Sequence, residues 1–330
     1  MEPPNPLSQA VAGSAVPHAR RKDSPSRPAA PMSAAKVAVV AAADRLFDEE
    51  VGFLRDLVRC PSTRGRTNDV QRRIAATLRE MGLDVAELGI DREPIAGLPG
   101  FSPADWPYEG LIQVVGRLPA AAPGGRSLIL NGHVDVVSAE PVDQWRRDPW
   151  GGEIAEGRMY GRGTCDMKGG VAAMIFAVRA VQRAGVGLCG DVLVETVLDE
   201  ECGGNGTLSL LAQGYRADAA IIPEPSMLGF STAQVGVLWC RVRVRGRASH
   251  AGTAAAAVNA IEKAYVVYRA LKDLEQEVNR PEVRHPLYAG LEHPLNYNIG
   301  VIQGGDWPSS VPGECTLEAR LACFPGEDPV

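Results

Sequence analysis

A chain of 330 residues exceeds the roughly 250–300 residues at which a single hydrophobic core stops growing, so two domains are expected. With 45% hydrophobic and 22% charged residues, wholesale disorder is excluded. The formal net charge of -6, with no Lys/Arg stripe that would follow a phosphate backbone, argues against nucleic acid as a partner. The longest apolar runs, such as Val37–Ala43 and Val171–Ala177, fall far short of the ~20 residues needed to cross a bilayer.

In chain order, Met1 to about Ala35 is rich in Pro, Ala, Ser and Arg without the apolar centre of a signal peptide, and reads as a disordered tail. Met32, followed almost at once by a helical pattern over Val37–Arg59, is a candidate alternative start. A second helix is expected from Asp69 to Met81, ended by Gly82, followed by strands at Leu83–Leu88, Leu111–Gly116 and Ser127–Asn131. Helices over Gly170–Ala184 and Gly206–Gln213 then alternate with strands at Asp191–Leu198 and Ala219–Ile222. That alternation predicts a layered α/β domain over 36–232. Beyond it, an alternating strand at Val237–Arg245, a helix from about Ala254 to Glu277 and strands at Asn298–Gln303 and Cys315–Cys323 predict a smaller α+β domain over 233–330, with Asn279–Pro294 as loop. The seven cysteines (Cys60, Cys165, Cys189, Cys202, Cys240, Cys315, Cys323) form no C-x-x-C pair and are odd in number, which fits a reduced, cytoplasmic setting.

Four segments carry chemistry, and α/β sheets gather such segments at the carboxyl ends of their strands. In Asn131-Gly-His133-Val-Asp135, residues two apart on an extended chain share a side, so Asp135 is placed to orient the imidazole of His133 as a metal ligand. Tyr160-Gly-Arg-Gly-Thr-Cys-Asp166-Met-Lys-Gly-Gly170 is a glycine-rich turn lifting an Asp to the start of a helix, where its two oxygens can bridge two cations. Asp199-Glu200-Glu201 ends a strand with adjacent carboxylates that can point apart, one to metal and one to water. Glu224 stands between two stiffening prolines in Ile222-Pro-Glu224-Pro-Ser226. Each segment alone has an ordinary structural explanation, since paired glutamates after a strand are usually solvated. Cys165 is a small turn residue in this reading, because no base-bearing His follows it. Imidazole and carboxylate ligands without thiolates suit Zn²⁺ or a comparable catalytic ion with open positions. Two such ions ~3.5–4 Å apart acidify a shared water and polarise a carbonyl, and a nearby Glu can carry the proton to a departing amine.

In this order and combination, from Val37 to Val330, the chain resembles the two-metal amidohydrolases typified by acetylornithine deacetylase, succinyl-diaminopimelate desuccinylase and carboxypeptidase G. The run Trp145–Pro149 before Trp150-Gly-Gly, the lead-in Gly161-Arg-Gly163 and the loop from Asp199 to Gly206 carry the same texture. The resemblance implies a layered mixed-sheet metallohydrolase domain with an inserted, smaller α+β lid that pairs two subunits into a homodimer. It implies that His133 and Glu224 bind one metal, Asp166 bridges both and Glu201 binds the second, with Asp135 orienting His133 and Glu200 as general base. The ions would be two divalent cations, Zn²⁺ first, with Co²⁺ or Mn²⁺ as alternatives. His250, in Gly246-Arg-Ala-Ser-His250-Ala-Gly252, is similar to the lid His that stabilises the oxyanion, and Arg320 stands where relatives bind the substrate carboxylate. The activity so implied is hydrolysis of a linear amide, an N-acyl or N-formyl group on a small amino-acid-like molecule, with water activated by the metals and Glu200.

Two departures accompany the resemblance. The family's last metal-binding His has no counterpart, since only His18, His285 and His293 remain, and the chain is expected to end within the lid as a truncated form. Ser309 stands in Ser309-Ser-Val-Pro312 where many relatives carry Asn. Two rival readings follow: an inactive remnant that binds metal weakly or pairs with a full-length relative, and a metallo-carboxypeptidase or dipeptidase.

Overall fold

A computed structural model describes residues 33–104, 106–122, 124–226, 229 and 233–328. The candidate start at Met32, His18 and nearly all of the expected tail lie outside them. Residues 33–35 are not tail: Ser33 caps the first helix, its Oγ accepting the Lys36 N–H at 3.4 Å. The described residues fall into two compact units, 33–226 and 229–328.

The first unit runs α1 (Ala34–Val58), α2 (Asn68–Glu80), β1 (Asp84–Leu88), β2 (Gln113–Leu118), β3 (Leu128–His133), β4 (Glu153–Ala155), β5 (Arg158–Tyr160), α3 (Lys168–Arg183), β6 (Val192–Val197), α4 (Asn205–Ala212) and β7 (Ala219–Ile221). Its five-stranded sheet has the order β1-β2-β6-β3-β7, and β4 pairs with β5 separately. Pairings β1/β2 and β2/β6 are antiparallel, whereas β3/β6 and β3/β7 are parallel. The sheet is therefore mixed and the unit α/β. Alternate residues of each strand face opposite layers. Val114, Leu130, Val192 and Val194 pack with Leu57, Ile74, Leu78 and Ile175 of the three larger helices. Val115, Ile129, Leu193 and Val197 pack on the other side with Leu210 of α4.

Two features of this unit bear on the site. Lys168, at the first residue of α3, is fully buried and donates from Nζ to the carbonyls of Leu57 and Cys60, each at 2.9 Å. Both carbonyls stand at the C-terminal end of α1, where a cation complements the helix dipole. The irregular segment between β1 and β2 forms a small core of Ile90, Ile95, Tyr108 and Leu111 against Leu198, just past the end of β6.

The second unit runs β8 (Gly236–Arg245), β9 (Ser249–His250), α5 (Ala260–Val278), β10 (Asn298–Gly304), β11 (Ser310–Val311) and β12 (Glu314–Cys323). Strands β10, β12 and β8 form an antiparallel sheet in that order, and β9 pairs with β11. One sheet face packs Cys315 and Leu317 on Ala260 and Ala264 of α5. The helix starts at Ala260 rather than near Ala254, because Asn259 Oδ1 accepts the N–H groups of Ile261 and Glu262 as an N-cap. Residues Ala251–Ala256 form a separate 3₁₀ turn.

Candidate metal centre

Strands β3, β6 and β7 are parallel, so their carboxyl ends open on one edge of the sheet. His133 is the last residue of β3, two residues beyond the expected end of that strand, and is 1% exposed. Asp199, Glu200 and Glu201 follow β6, Glu224 follows β7, and Asp166 lies two residues before the start of α3. From His133 Nε2 the distances are 3.1 Å to Asp166 Oδ1, 3.6 Å to Glu224 Oε1 and 3.7 Å to Glu200 Oε2. His133, Asp166 and Glu201 form one group whose candidate ligand atoms lie within 4.8 Å of one another, and His133, Glu200 and Glu224 form another.

The backbone sets up this convergence in three ways. His133 Nδ1 meets the backbone carbonyl of Asp135 at 2.9 Å; a carbonyl only accepts, so Nδ1 carries a proton and Nε2 is the nitrogen facing the carboxylates. The Asp135 carboxylate itself lies 3.7 Å from Nδ1, beyond hydrogen-bond reach, and accepts instead from the N–H of Glu201 at 3.1 Å and of Glu200 at 3.4 Å. Asp199 adopts φ 73°, a left-handed conformation that Asp tolerates better than most residues. Its carbonyl accepts from the N–H of Gly203 and Gly204 at 2.9 and 2.6 Å, turning the chain so that the two glutamates diverge. Gly170 is required at its place in α3, because an added Cβ would sit 2.2 Å from the Pro223 carbonyl oxygen.

The electrostatics match a site built for cations. Burial, reinforced by Asp166 and Glu200, pushes the Glu224 carboxyl up to about 7. Burial with Asp166 pushes Glu201 up to about 6, and burial raises Glu200 as well. Burial alone would lower His133, but Asp135, Glu200 and Glu224 outweigh it and leave it raised. Such a cluster resists full ionisation until positive charge enters it. One imidazole nitrogen and carboxylate oxygens, with no cysteine in either group, form the donor set taken by Zn²⁺ and similar ions, so the residues present fit a divalent metal.

The model of peptidase family M20/M25/M40 matches residues 129–296, slightly more than half the chain and inclusive of every segment of this cluster. The chain belongs to peptidase family M20/M25/M40. It is 34% identical over 241 residues to N-formyl-4-amino-5-aminomethyl-2-methylpyrimidine deformylase of Bacillus subtilis, covering 69% of this chain and 55% of that protein. It is 30% identical over 224 residues to a probable succinyl-diaminopimelate desuccinylase of Staphylococcus aureus, covering 62% of this chain and 56% of that protein. The chain thus spans about half the length of the curated relatives it matches. Among solved structures, the di-peptidase Dug1p of Saccharomyces cerevisiae aligns with a TM-score of 0.69 at 18% identity, covering 90% of this chain and 74% of that one. Human carnosine dipeptidase 1 aligns with a TM-score of 0.60 at 19% identity, covering 88% and 73%. These likenesses establish the M20 fold, a mixed-sheet α/β arrangement, as the expected one.

The remaining candidates lie in the second unit. His250 is exposed, and its Nδ1 accepts the Gly252 N–H at 3.1 Å, which leaves Nε2 carrying the proton. Arg320 is exposed on β12 between Trp239 and Asn298 on the neighbouring strands. The two other described histidines are engaged within that unit: His293 Nε2 meets Glu275 at 3.1 Å, and His285 packs by Tyr288 and Phe324. Lys168, Tyr108 and Asn205 were not legible from motif spacing. Tyr108 donates to Asp199 Oδ2 at 2.7 Å and accepts from Asn205 Nδ2 at 2.9 Å, a support for the glutamate turn assembled from two segments distant in sequence.

Proposed function

We propose that this chain hydrolyses a linear amide, releasing an amine from a small N-acyl or N-formyl compound. The observation that carries the reading is the convergence of Asp166, Glu200 and Glu224 within 3.7 Å of His133 Nε2. His133, Asp166, Glu201 and Glu224 would hold two divalent cations, zinc in the first instance. Bound there, such ions supply Lewis-acid polarisation of the amide carbonyl and acidify a nearby water. Glu200 takes the proton from that water as the new C–O bond forms, then returns it to the nitrogen as the C–N bond breaks. Asp135 holds the backbone of Glu200 and Glu201 while its carbonyl keeps His133 in one tautomer. His250, with a proton on Nε2, is suited to donate to an oxyanion, and Arg320 to pair with a substrate carboxylate.

The same reading has the 229–328 unit pairing two copies of the chain, and a reducing cytoplasm as its setting, supported by seven free cysteines. The test is metal content by elemental analysis of purified protein, with amine release from N-succinyl-diaminopimelate and N-formyl-4-amino-5-aminomethyl-2-methylpyrimidine assayed in parallel. Bound zinc with turnover that falls about 10²–10⁴-fold in Glu200→Gln is expected. Turnover surviving that substitution sinks the assignment of the base.

A further inference from the structure

The three-stranded sheet of the second unit ends at β8, and among the described residues no strand pairs with its outer edge. Over its ten residues, alternate N–H and C=O groups therefore turn outward, the template to which a further strand adds. The two faces of β8 differ. Toward α5, Cys240, Val242 and Val244 are only half-buried, although Ala319, Leu317 and Cys315, opposite them on β12, are buried. The apolar layer is left incomplete at this edge, and one more strand with apolar residues on that face completes it. On the open face stand Trp239, 50% exposed, and then Arg241, Arg243 and Arg245 at alternate positions. Across from them β12 offers two carboxylates: Arg241 pairs with Glu318 at 2.9 Å, and Arg243 lies 3.6 Å from Glu314. Three guanidinium groups against two carboxylates leave the edge positive in a chain of net charge -6. These charges decide what can pair. A second copy of β8 would set arginine against arginine, which weakens a ladder, whereas a strand with acidic residues on that face meets opposite charge at each position.

We propose that the outer edge of β8 takes up an extended segment of a different polypeptide in which acidic and apolar residues alternate. Its acidic side chains lie beside Arg241, Arg243 and Arg245, and its apolar ones extend the layer under α5. Two copies of the chain that pair through this unit then do so by surfaces other than the β8 edge. The inference stands apart from the amide-hydrolase reading, because it involves no metal ligand.

Hydrogen exchange of the full chain, with and without a synthetic peptide that alternates Val and Glu over the length of β8, tests it. Slower exchange in Val237–Arg245, with β10 unchanged, is expected. In calorimetric titration, a peptide of the same composition with its valines and glutamates in separate blocks is expected to bind about 10-fold more weakly. Substituting Arg243→Glu and Arg245→Glu together is expected to weaken the alternating acidic peptide by about 10-fold as well. The doubly substituted chain is expected to prefer a peptide alternating Val and Lys, a gain that an unfolded variant would not show. No protection of β8 by the acidic peptide overturns the proposal, as does equal affinity for the blocked peptide, which would reduce the contact to net charge. Unchanged affinity in the doubly substituted chain overturns it too. Protection of β8 that rises with protein concentration in the absence of peptide would seat a second copy there and overturn the choice of occupant.

Discussion

The two units use their sheets differently. Every residue of β6 in the first unit is buried, because helices cover both faces, whereas β8 in the second alternates half-buried and exposed positions along its whole length and buries none. The helices on the two sheets differ too: Val266 and Tyr265 on α5 stand 63% and 58% exposed, while α3 buries Ile175 and Phe176. A sheet covered on both faces can hold a carboxylate-rich edge in fixed geometry. One covered on a single face is suited to presenting surface, and the two remaining candidate residues, His250 and Arg320, are both exposed there.

The largest expected effect is a truncation in the covered core. Leu57→Ala should cost about 2–5 kcal/mol, read as faster hydrogen exchange along β3 and β6, with exchange in β8 and β12 little altered. Equal acceleration in both sheets would contradict a separate core for each unit. Next comes Lys168→Met, which leaves the carbonyls of Leu57 and Cys60 without their donor and should cost about 1–3 kcal/mol. Because Asp166 is two residues away, zinc affinity measured by competition with a chelator should fall as well; unchanged affinity would mean that Lys168 serves α1 alone.

A pH dependence should follow, confined to the first unit. Glu224 is raised from 4.5 to about 7 and Glu201 to about 6, so in the metal-free protein the folded form binds their protons more tightly than the unfolded form. Their contribution is fully present below about pH 4.5 and is lost as pH rises through 6 to 7. Thermal unfolding without metal should therefore show stability declining between pH 5 and 7.5, and added zinc should stabilise more at the upper end, since its ligands must be deprotonated. A metal-free protein that gains stability over that range would contradict the clustering of these carboxylates. The smallest effect belongs to the open face: Val266→Ser should shift stability by no more than about 0.5 kcal/mol. A cost several times larger, detected by urea denaturation, would mean that α5 is covered in solution.

Much of this was legible beforehand, for identifiable reasons. Strand and helix periodicity located every large element, and the acidic segments mattered because each follows a strand or opens a helix. Asp135 does stand beside His133, its carboxylate 3.7 Å from Nδ1, but the hydrogen bonds go elsewhere: the ring bonds the Asp135 carbonyl, and the carboxylate accepts from the N–H groups of Glu200 and Glu201. Lys168 resembles any lysine at the start of a helix until the end of α1, over 100 residues earlier, is placed beside it. The segment from Ile90 to Leu111 has no periodicity to read, so the Tyr108 support for Asp199 and the Trp106 platform under Arg64 emerge only when the chain closes on itself.

The missing side chain at Gly170 acts as a spacer of fixed width. Helix α3 carries Asp166 at its entrance, the segment after β7 carries Glu224, and the two approach until backbone meets backbone at Pro223. Any methyl group inserted there pushes the helix outward and moves one oxygen donor away from the other. The spacing between two candidate donors is thus set partly by a residue that offers no ligand. Gly170→Ala is therefore expected to alter the spacing between Asp166 and Glu224 without removing either donor group.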